Sequence, residues 1–213
     1  MGYCFDDPGL AAEALVHRSA GGQSNERLEF LGDAVIALAV AEWLYNEKPE
    51  LAEGDLTRMR ASLVNRDTLS GLADELELSD LLELGGGERR NGGSRRRSIL
   101  EDTFEAVIGA VFLDGGFAQT RRVVQGLFAD RFDKLPDAES LKDPKTRLQE
   151  RLQARGFDLP QYVLVATQGP EHARHFEIEC RVGALALHAK GQGPSKRRAE
   201  QAAAAAALVQ LDA

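Results

Sequence analysis

Residues 25–36 read Asn25-Glu26-Arg27-Leu28-Glu29-Phe30-Leu31-Gly32-Asp33-Ala34-Val35-Ile36. The stretch is strongly apolar, yet it carries carboxylates at 26, 29 and 33. Steps of three and four are the steps of one helix face. At 3.6 residues per turn the three acids share a sector roughly 60° wide. Leu28, Leu31, Val35 and Leu38 fall on or near the opposite side. Ser24 or Asn25 is placed to cap the helix, and Glu26 sits in the first turn, where the dipole favours an acid. The helix is predicted to run to about Asn46, with Pro49 ending it. An acid stripe on a helix that otherwise seeks burial is costly unless something cationic lies against it.

A second stretch has the same conflict. Residues 99–114 (ILEDTFEAVIGAVFLD) form an apolar helix with Asp102 and Glu105 three apart on one face. Ala106 and Gly109 flank that face, and such small residues allow another helix to approach closely. The obvious partner is the first acidic helix. Glu26, Glu29, Asp33, Asp102 and Glu105 therefore need a common account. Ion pairing with arginines such as Arg27, Arg58 or Arg60 would explain one acid, but it explains five poorly, because like charges packed together raise one another's pKa. A hard divalent cation resolves the problem. Mg²⁺ prefers oxygen ligands and is held by a few carboxylates plus phosphates. Two such ions can activate a water and stabilise the leaving oxygen in phosphodiester hydrolysis. No His/Cys cluster competes for zinc, and there is no Walker loop, no GxSxG and no Cys–His pairing that stands out.

Around these helices the pattern is helical as far as residue 160. Residues 8–20 read as a short helix, with His17 as a hydrogen-bonded structural histidine. Residues 21–25 are a loop. Helices are predicted over 55–65, capped near Gly54-Asp55, and over 66–77 and 117–134. Residues 85–97 (GGGERRNGGSRRR) hold five glycines and five arginines and read as a flexible basic loop, either a solvated linker or a phosphate contact. Residues 135–143 are polar enough for a linker. After Pro144 the texture changes. An amphipathic helix at 145–155 stops at Gly156. Three short alternating strands follow at 161–167, 174–182 and 185–191, then a long Ala-rich helix at 194–211. The expected fold is therefore multi-domain: an all-α domain over 1–134, a linker over 135–143, and a small α+β domain with α-β-β-β-α order over 144–213.

Composition bounds the partners. The net charge of −8 argues against a nucleic-acid binder until the chain is divided. Residues 1–140 hold 15 Lys and Arg against 26 Asp and Glu, a balance of −11, whereas residues 141–213 hold 11 against 8, a balance of +3. Asymmetry of this kind suggests different jobs for the two modules. The last helix opens Gly193-Pro194-Ser195-Lys196-Arg197-Arg198. Backbone N–H groups at that start, with Lys196 and Arg197, make an anion site suited to phosphates. No apolar run approaches the length of a membrane span, and no secretory signal is visible. Cys4 and Cys180 lie far apart with no CxxC, which favours a reducing cytoplasm.

These stretches together resemble the ribonuclease III family. NERLEFLGDAVI at 25–36 is similar to its signature nearly letter for letter, and EDTFEAVIGAVFLDGG at 101–116 resembles its second carboxylate motif. Residues 143–211 resemble a double-stranded-RNA-binding domain, with KTRLQERLQ in the first helix, the loop GPEH at 169–172, and GPSKRRAEQAAA opening the last helix. The resemblance covers essentially the whole chain, in the simple bacterial order of one nuclease domain and one RNA-binding domain. The chain opens at Met1-Gly2-Tyr3, where many bacterial members carry a short segment beforehand, but no matched carboxylate falls there.

The resemblance implies a Mg²⁺-dependent, homodimeric endoribonuclease for double-stranded RNA, with Mn²⁺ able to stand in and no small-molecule cofactor. Its products would carry 5′-phosphates and 3′-hydroxyls, and its substrates would be ribosomal RNA precursors and some mRNAs in the cytoplasm. Carried over by position, Glu29, Asp33, Asp102 and Glu105 match the family's metal-binding carboxylates, with Asp33 and Glu105 the catalytic pair. Glu26 and Glu53 match acids near the cleavage site. Phe30 matches a residue that plugs into the partner subunit. Thr146, Gln149, Glu150, Gln153, His172, Ser195, Lys196 and Arg197 match RNA contacts, which read A-form shape more than sequence. Two rivals stand beside this reading. One is a non-cleaving double-stranded-RNA-binding protein; the other is a metal-dependent phosphohydrolase of small nucleotides, for which the C-terminal domain has no use.

Overall fold

The computed structural model describes residues 1–170 and 173–211. The chain divides into two compact units, Met1–Ala138 and Glu139–Ala213.

The first unit contains helices α1 (Pro8–Ala14), α2 (Glu26–Glu47), α3 (Glu53–Leu63), α4 (Arg66–Glu75), α5 (Leu78–Leu81), α6 (Gly86–Arg90) and α7 (Arg97–Asp133). A short helix, α8 (Ala138–Leu141), lies at the boundary. The two acidic stretches become α2 and the first half of α7. Their apolar sides form the centre of the unit: Leu28, Val35, Ile36, Ala39, Val40 and Leu44 from α2 are buried with Leu100, Phe104, Ile108 and Val111 from α7. Small residues bring the two helices into backbone contact. A Cβ added at Gly32 would collide with the carbonyl of Glu105, and one at Gly109 with the carbonyl of Leu28. The expected close approach at Gly109 is thus reciprocated by Gly32. The predicted helix at 117–134 continues α7 past Gly116, whose positive φ (70°) makes a kink that only glycine takes readily.

Several local expectations are corrected. The helix expected over 8–20 stops at Ala14, because Val16 and His17 leave it to pair with Glu83. Residues 18–20 then form one 3₁₀ turn. Asn25 does not cap α2 with its side chain. Its Nδ2 donates instead to the Ala14 carbonyl, tying α1 to the start of α2. The third helix begins at Glu53, two residues before the expected start, with Ala52 at its N-cap. The basic stretch 85–97 is not one loop. It forms α6 and a 3₁₀ turn over Gly93–Arg95, joined by an ion pair between Glu88 and Arg96 at 3.0 Å. Leu38, expected with the apolar side of α2, is 55% exposed.

The second unit holds α9 (Pro144–Ala154), the antiparallel strands β1 (Gln161–Gln168), β2 (His175–Val182) and β3 (Leu187–Gly193), and α10 (Lys196–Leu211). Asp143 caps α9, accepting from the Thr146 amide at 3.1 Å and the Thr146 hydroxyl at 2.6 Å. Pro144 follows at the first helical position, where its missing N–H costs nothing. Alternation sends Ile178, Cys180 and Val182 from β2, and Leu187 and Ala189 from β3, into a core closed by Leu148 and Leu152 of α9 and the alanine side of α10. This is the helical domain followed by the α-β-β-β-α domain expected from the pattern. No helix among the described residues is long and apolar enough to cross a membrane. Both cysteines are free.

Candidate active site

The α2–α7 crossing presents Glu29 and Asp33 from one helix beside Asp102 and Glu105 from the other. Among the described residues none of these four carboxylates is in hydrogen-bond or salt-bridge contact. Glu105 is the deepest, with only 9% of its surface exposed. Burial, and then the charges of Asp33, Glu101, Glu29 and Asp102, push its pKa up to about 8. Glu29 is raised by burial and next by the charge of Asp102. Asp102 is raised by burial and next by Glu101, against the opposing fields of His17, Arg66 and Arg18. Three carboxylates destabilised by each other and by dry surroundings describe a site short of positive charge.

A cavity of about 390 Å³ opens on the same surface, lined by His17, Glu26, Glu29, Arg96, Ser98 and Asp102 among others. Glu26 stands at its rim, held by Ser24 at 3.0 Å and facing Arg18 at 3.7 Å. His17 is hydrogen-bonded as expected, its Nδ1 2.8 Å from the Ser19 hydroxyl. Glu53 is not part of this cluster. It begins α3, accepts from Thr57 at 2.8 Å, and lines a different cavity with Tyr45 and Arg60. One acid escaped sequence reasoning. Glu101 acts electrostatically on Glu29, Asp102 and Glu105. Its only signal was its place one turn before Glu105.

The four acids fit a hard divalent cation: they offer carboxylate oxygens, one of them on a buried acid in no ion pair, while His17 at the cavity wall has its Nδ1 engaged by Ser19. Among the described residues, no three or more His, Cys, Asp or Glu side chains are already placed closely enough to hold a metal ion together.

Phe30 projects from α2 with 81% of its surface exposed. Leu38, two helical turns further on, is 55% exposed, so α2 carries two large apolar side chains open to solvent.

In the second unit Lys196 and Arg197 are exposed at the start of α10, and neither pairs with an acid among the described residues. The Ser195 hydroxyl accepts from the Arg198 amide at 3.2 Å. Ser195 and Arg197, with Asp143, Gln201 and Arg198, border a cavity of about 640 Å³. Gln149 and Gln153 are exposed on α9. Thr146 is engaged by Asp143, and Glu150 by Lys142 at 2.7 Å. His172 lies outside the described residues.

Comparison with known proteins gives a consistent result. The model of the family described as ribonuclease-III-like matches residues 7–131, and that of the double-stranded RNA binding motif matches residues 144–211. Ribonuclease 3 of Photorhabdus laumondii is 47% identical over 212 residues, covering 100% of this chain and 94% of that protein. Ribonuclease 3 of Nitrosococcus oceani is 50% identical over 213 residues, covering 99% of this chain and 91% of that protein. A solved nuclease domain of ribonuclease III from Campylobacter jejuni, described for flexibility in its dimer-forming region, aligns with a TM-score of 0.60 at 42% identity. It covers 62% of this chain and 92% of its own. The Dicer of Pichia stipitis aligns over 97% of this chain and 96% of its own, with a TM-score of 0.51 and 26% identity.

Proposed function

Because the chain belongs to the ribonuclease III family, we propose that it is a homodimeric endoribonuclease. It hydrolyses double-stranded RNA with Mg²⁺ and leaves 5′-phosphate and 3′-hydroxyl ends. The observation that carries this reading is the unneutralised carboxylate set on α2 and α7, with Glu105 buried among like charges.

Glu29, Asp33, Asp102 and Glu105 would hold Mg²⁺, with Mn²⁺ as a substitute. When bound, the cation lowers the pKa of the attacking water and neutralises charge on the scissile phosphate. The protein's own part is placement. The glycine contact at Gly32 and Gly109 fixes the two acid pairs across one helix crossing, and the dry surroundings of Glu105 strengthen its interaction with any cation. Asp33 and Glu105 form the catalytic pair, with Glu26 at the rim. Glu53 lies apart from this set within one chain, and its assignment rests on the family position alone. Phe30 would form part of the subunit interface, setting two sites across one duplex.

The RNA-binding unit supplies docking that an acidic nuclease unit cannot. Lys196 and Arg197, with the Ser195 cap, would grip phosphates. Thr146, Gln149, Glu150, Gln153 and His172 would contact minor-groove hydroxyls and base edges. The domain limits 1–134 and 144–213 follow the same division of labour. Substrates would be cytoplasmic, with ribosomal RNA precursors and some mRNAs first among them. A non-cleaving RNA-binding protein would have no reason to keep four carboxylates without counter-charge, and a small-nucleotide phosphohydrolase would have no use for the second unit.

The test is a labelled RNA duplex incubated with the protein in Mg²⁺ and, separately, in Ca²⁺. Cleavage to 5′-phosphate ends is expected in Mg²⁺ only. Glu105→Gln should bind the duplex normally and cleave it on the order of 10³-fold more slowly. Normal cleavage by that variant would remove Glu105 from the site. Binding without cleavage in both metals would favour the non-cleaving reading.

A further inference from the structure

The first turn of α7 carries one carboxylate more than the four assigned above. Glu101 precedes Asp102 and stands one helical turn before Glu105, on Glu105's side of the helix. Its side chain is only 17% exposed, and the Nε of Arg66 donates to it at 2.6 Å. Arg66 opens α4 and is itself 63% exposed. The next residue, Asp67, pairs with Arg97, one turn before Glu101 on α7. Two ion pairs of opposite sense therefore join the start of α4 to the start of α7, at the edge of the carboxylate cluster.

A strut between two helices would account for the Asp67–Arg97 pair, but for Arg66–Glu101 it is incomplete. Glu101 is the second charge, after Asp33, acting on Glu105, and it also acts on Asp102 and Glu29. Arg66 in turn lies in the field of Asp102 and opposes the rise of its pKa. The pair thus sits within electrostatic reach of the site without making contact with the four carboxylates. Exposed pairs contribute little to stability, while a divalent cation feels each unit charge twice over.

We infer that the Arg66–Glu101 pair trims the net charge of the carboxylate site and so sets how tightly it holds a divalent cation, Glu101 tightening the hold and Arg66 loosening it. This rests on the metal-site reading above. The two residues are positioning groups, since neither touches the reacting atoms. At a separation of several ångströms near the protein surface, one unit charge is expected to change divalent affinity by about three- to tenfold.

The experiment uses the full-length chain, stripped of metal, without RNA. Mn²⁺ is titrated and its free fraction read by electron paramagnetic resonance. Wild type is compared with Glu101→Gln, Arg66→Met and the double variant, with circular dichroism to establish folding. Glu101→Gln should weaken Mn²⁺ binding by about three- to tenfold, Arg66→Met should tighten it by a similar factor, and the double variant should return close to wild type. Both single-variant shifts should shrink at about 0.3 M salt, where the screening length falls well below 10 Å. If Glu101→Gln does not fold, Arg66→Met decides alone. Weaker or unchanged Mn²⁺ binding by folded Arg66→Met would overturn the inference and leave the pair a strut. A wild-type protein that takes up no Mn²⁺ would overturn the metal-site reading itself, a failure distinct from the first.

Discussion

The acids of the two units behave in opposite ways. In the nuclease unit Glu29, Asp102 and Glu105 are all raised, in each case first by burial. In the RNA-binding unit Asp143, Glu177 and Glu179 are all lowered, chiefly by hydrogen bonds from Thr146, Lys190 and Arg181. The difference is one of partners, not of location in the chain. Asp114, also in the nuclease unit, accepts from the Tyr3 hydroxyl at 2.6 Å and from the Asp6 and Asp7 amides at 2.9 Å, and it is lowered. The cations mirror this. Arg66, Arg97, Arg121 and Arg131 of the nuclease unit are in ion pairs, while Lys196 and Arg197 of the RNA-binding unit stand free of acids among the described residues. Glu29, Asp33, Asp102 and Glu105 thus stand without ion-pair partners at one helix crossing of the first unit, and Lys196 and Arg197 stand without them at the start of α10. The whole-chain balance of −8 conceals both clusters.

The largest expected effect breaks the comparison at Glu105. Because folding raises the Glu105 pKa to about 8, the folded chain must take up a proton at neutral pH, which costs stability; Glu105→Gln escapes that cost and should melt several degrees higher than wild type without metal, a gain of about 1–2 kcal/mol. Mg²⁺ should stabilise wild type by about 2–3 kcal/mol at a hundredfold excess over its dissociation constant, and stabilise the variant much less. Thermal melts of both proteins with and without Mg²⁺ measure this. A lower-melting variant, or equal stabilisation of both by Mg²⁺, would mean that Glu105 is a paired structural acid like those of the second unit.

Next in size is the reverse lesion in the RNA-binding unit. Replacing Lys196 and Arg197 together by alanine should weaken duplex binding by at least about tenfold and reduce the slope of log affinity against log salt by about 1–2. Stability should barely move, because both side chains are exposed and unpaired. Fluorescence anisotropy with a labelled duplex at several salt concentrations gives the slope. An unchanged slope would remove these residues from the phosphate contacts.

Much of this arrangement was legible in the sequence, for definite reasons. The acids at 26, 29, 33, 102 and 105 stood out because helical spacing put them on one face of segments that were otherwise apolar. Gly109 announced a close helix contact because no bulkier residue would leave room for one. What was hidden depended on partners distant in sequence. Glu101 looks like any exposed helix acid until Arg66, thirty-five residues earlier, is seen to hold it. Asn25 looks like a cap, and only the fold brings the Ala14 carbonyl within reach of its amide. The glycines of 85–97 suggested a loop, yet α6 forms there, with Glu88 held by Arg96 against it. Phe30 is the converse case: its aromatic side chain taken alone suggests core, yet it stands near the acid side of α2 and is 81% exposed.

The smallest effect tests a paired acid. Asp143 caps α9, and the Nε2 of Gln201 donates to it at 2.9 Å, so one carboxylate ties the start of α9 to α10. Its pKa is pushed down to about 2, first by the Thr146 hydroxyl. A carboxyl lowered by folding adds stability above its unfolded value near 4 and loses that contribution as pH falls through the folded value. Asp143→Ala should therefore cost the second unit about 1 kcal/mol at neutral pH, a cap-sized loss kept small by solvent exposure. The gap between variant and wild type should close as pH falls from about 4 toward 2. Amide hydrogen exchange within 144–154, followed across that range, isolates the second unit from any acid transition of the first. A gap that stays constant with pH would mean that alanine disturbs packing, not charge, and Asp143 would then no longer serve as the paired counterpart to Glu105.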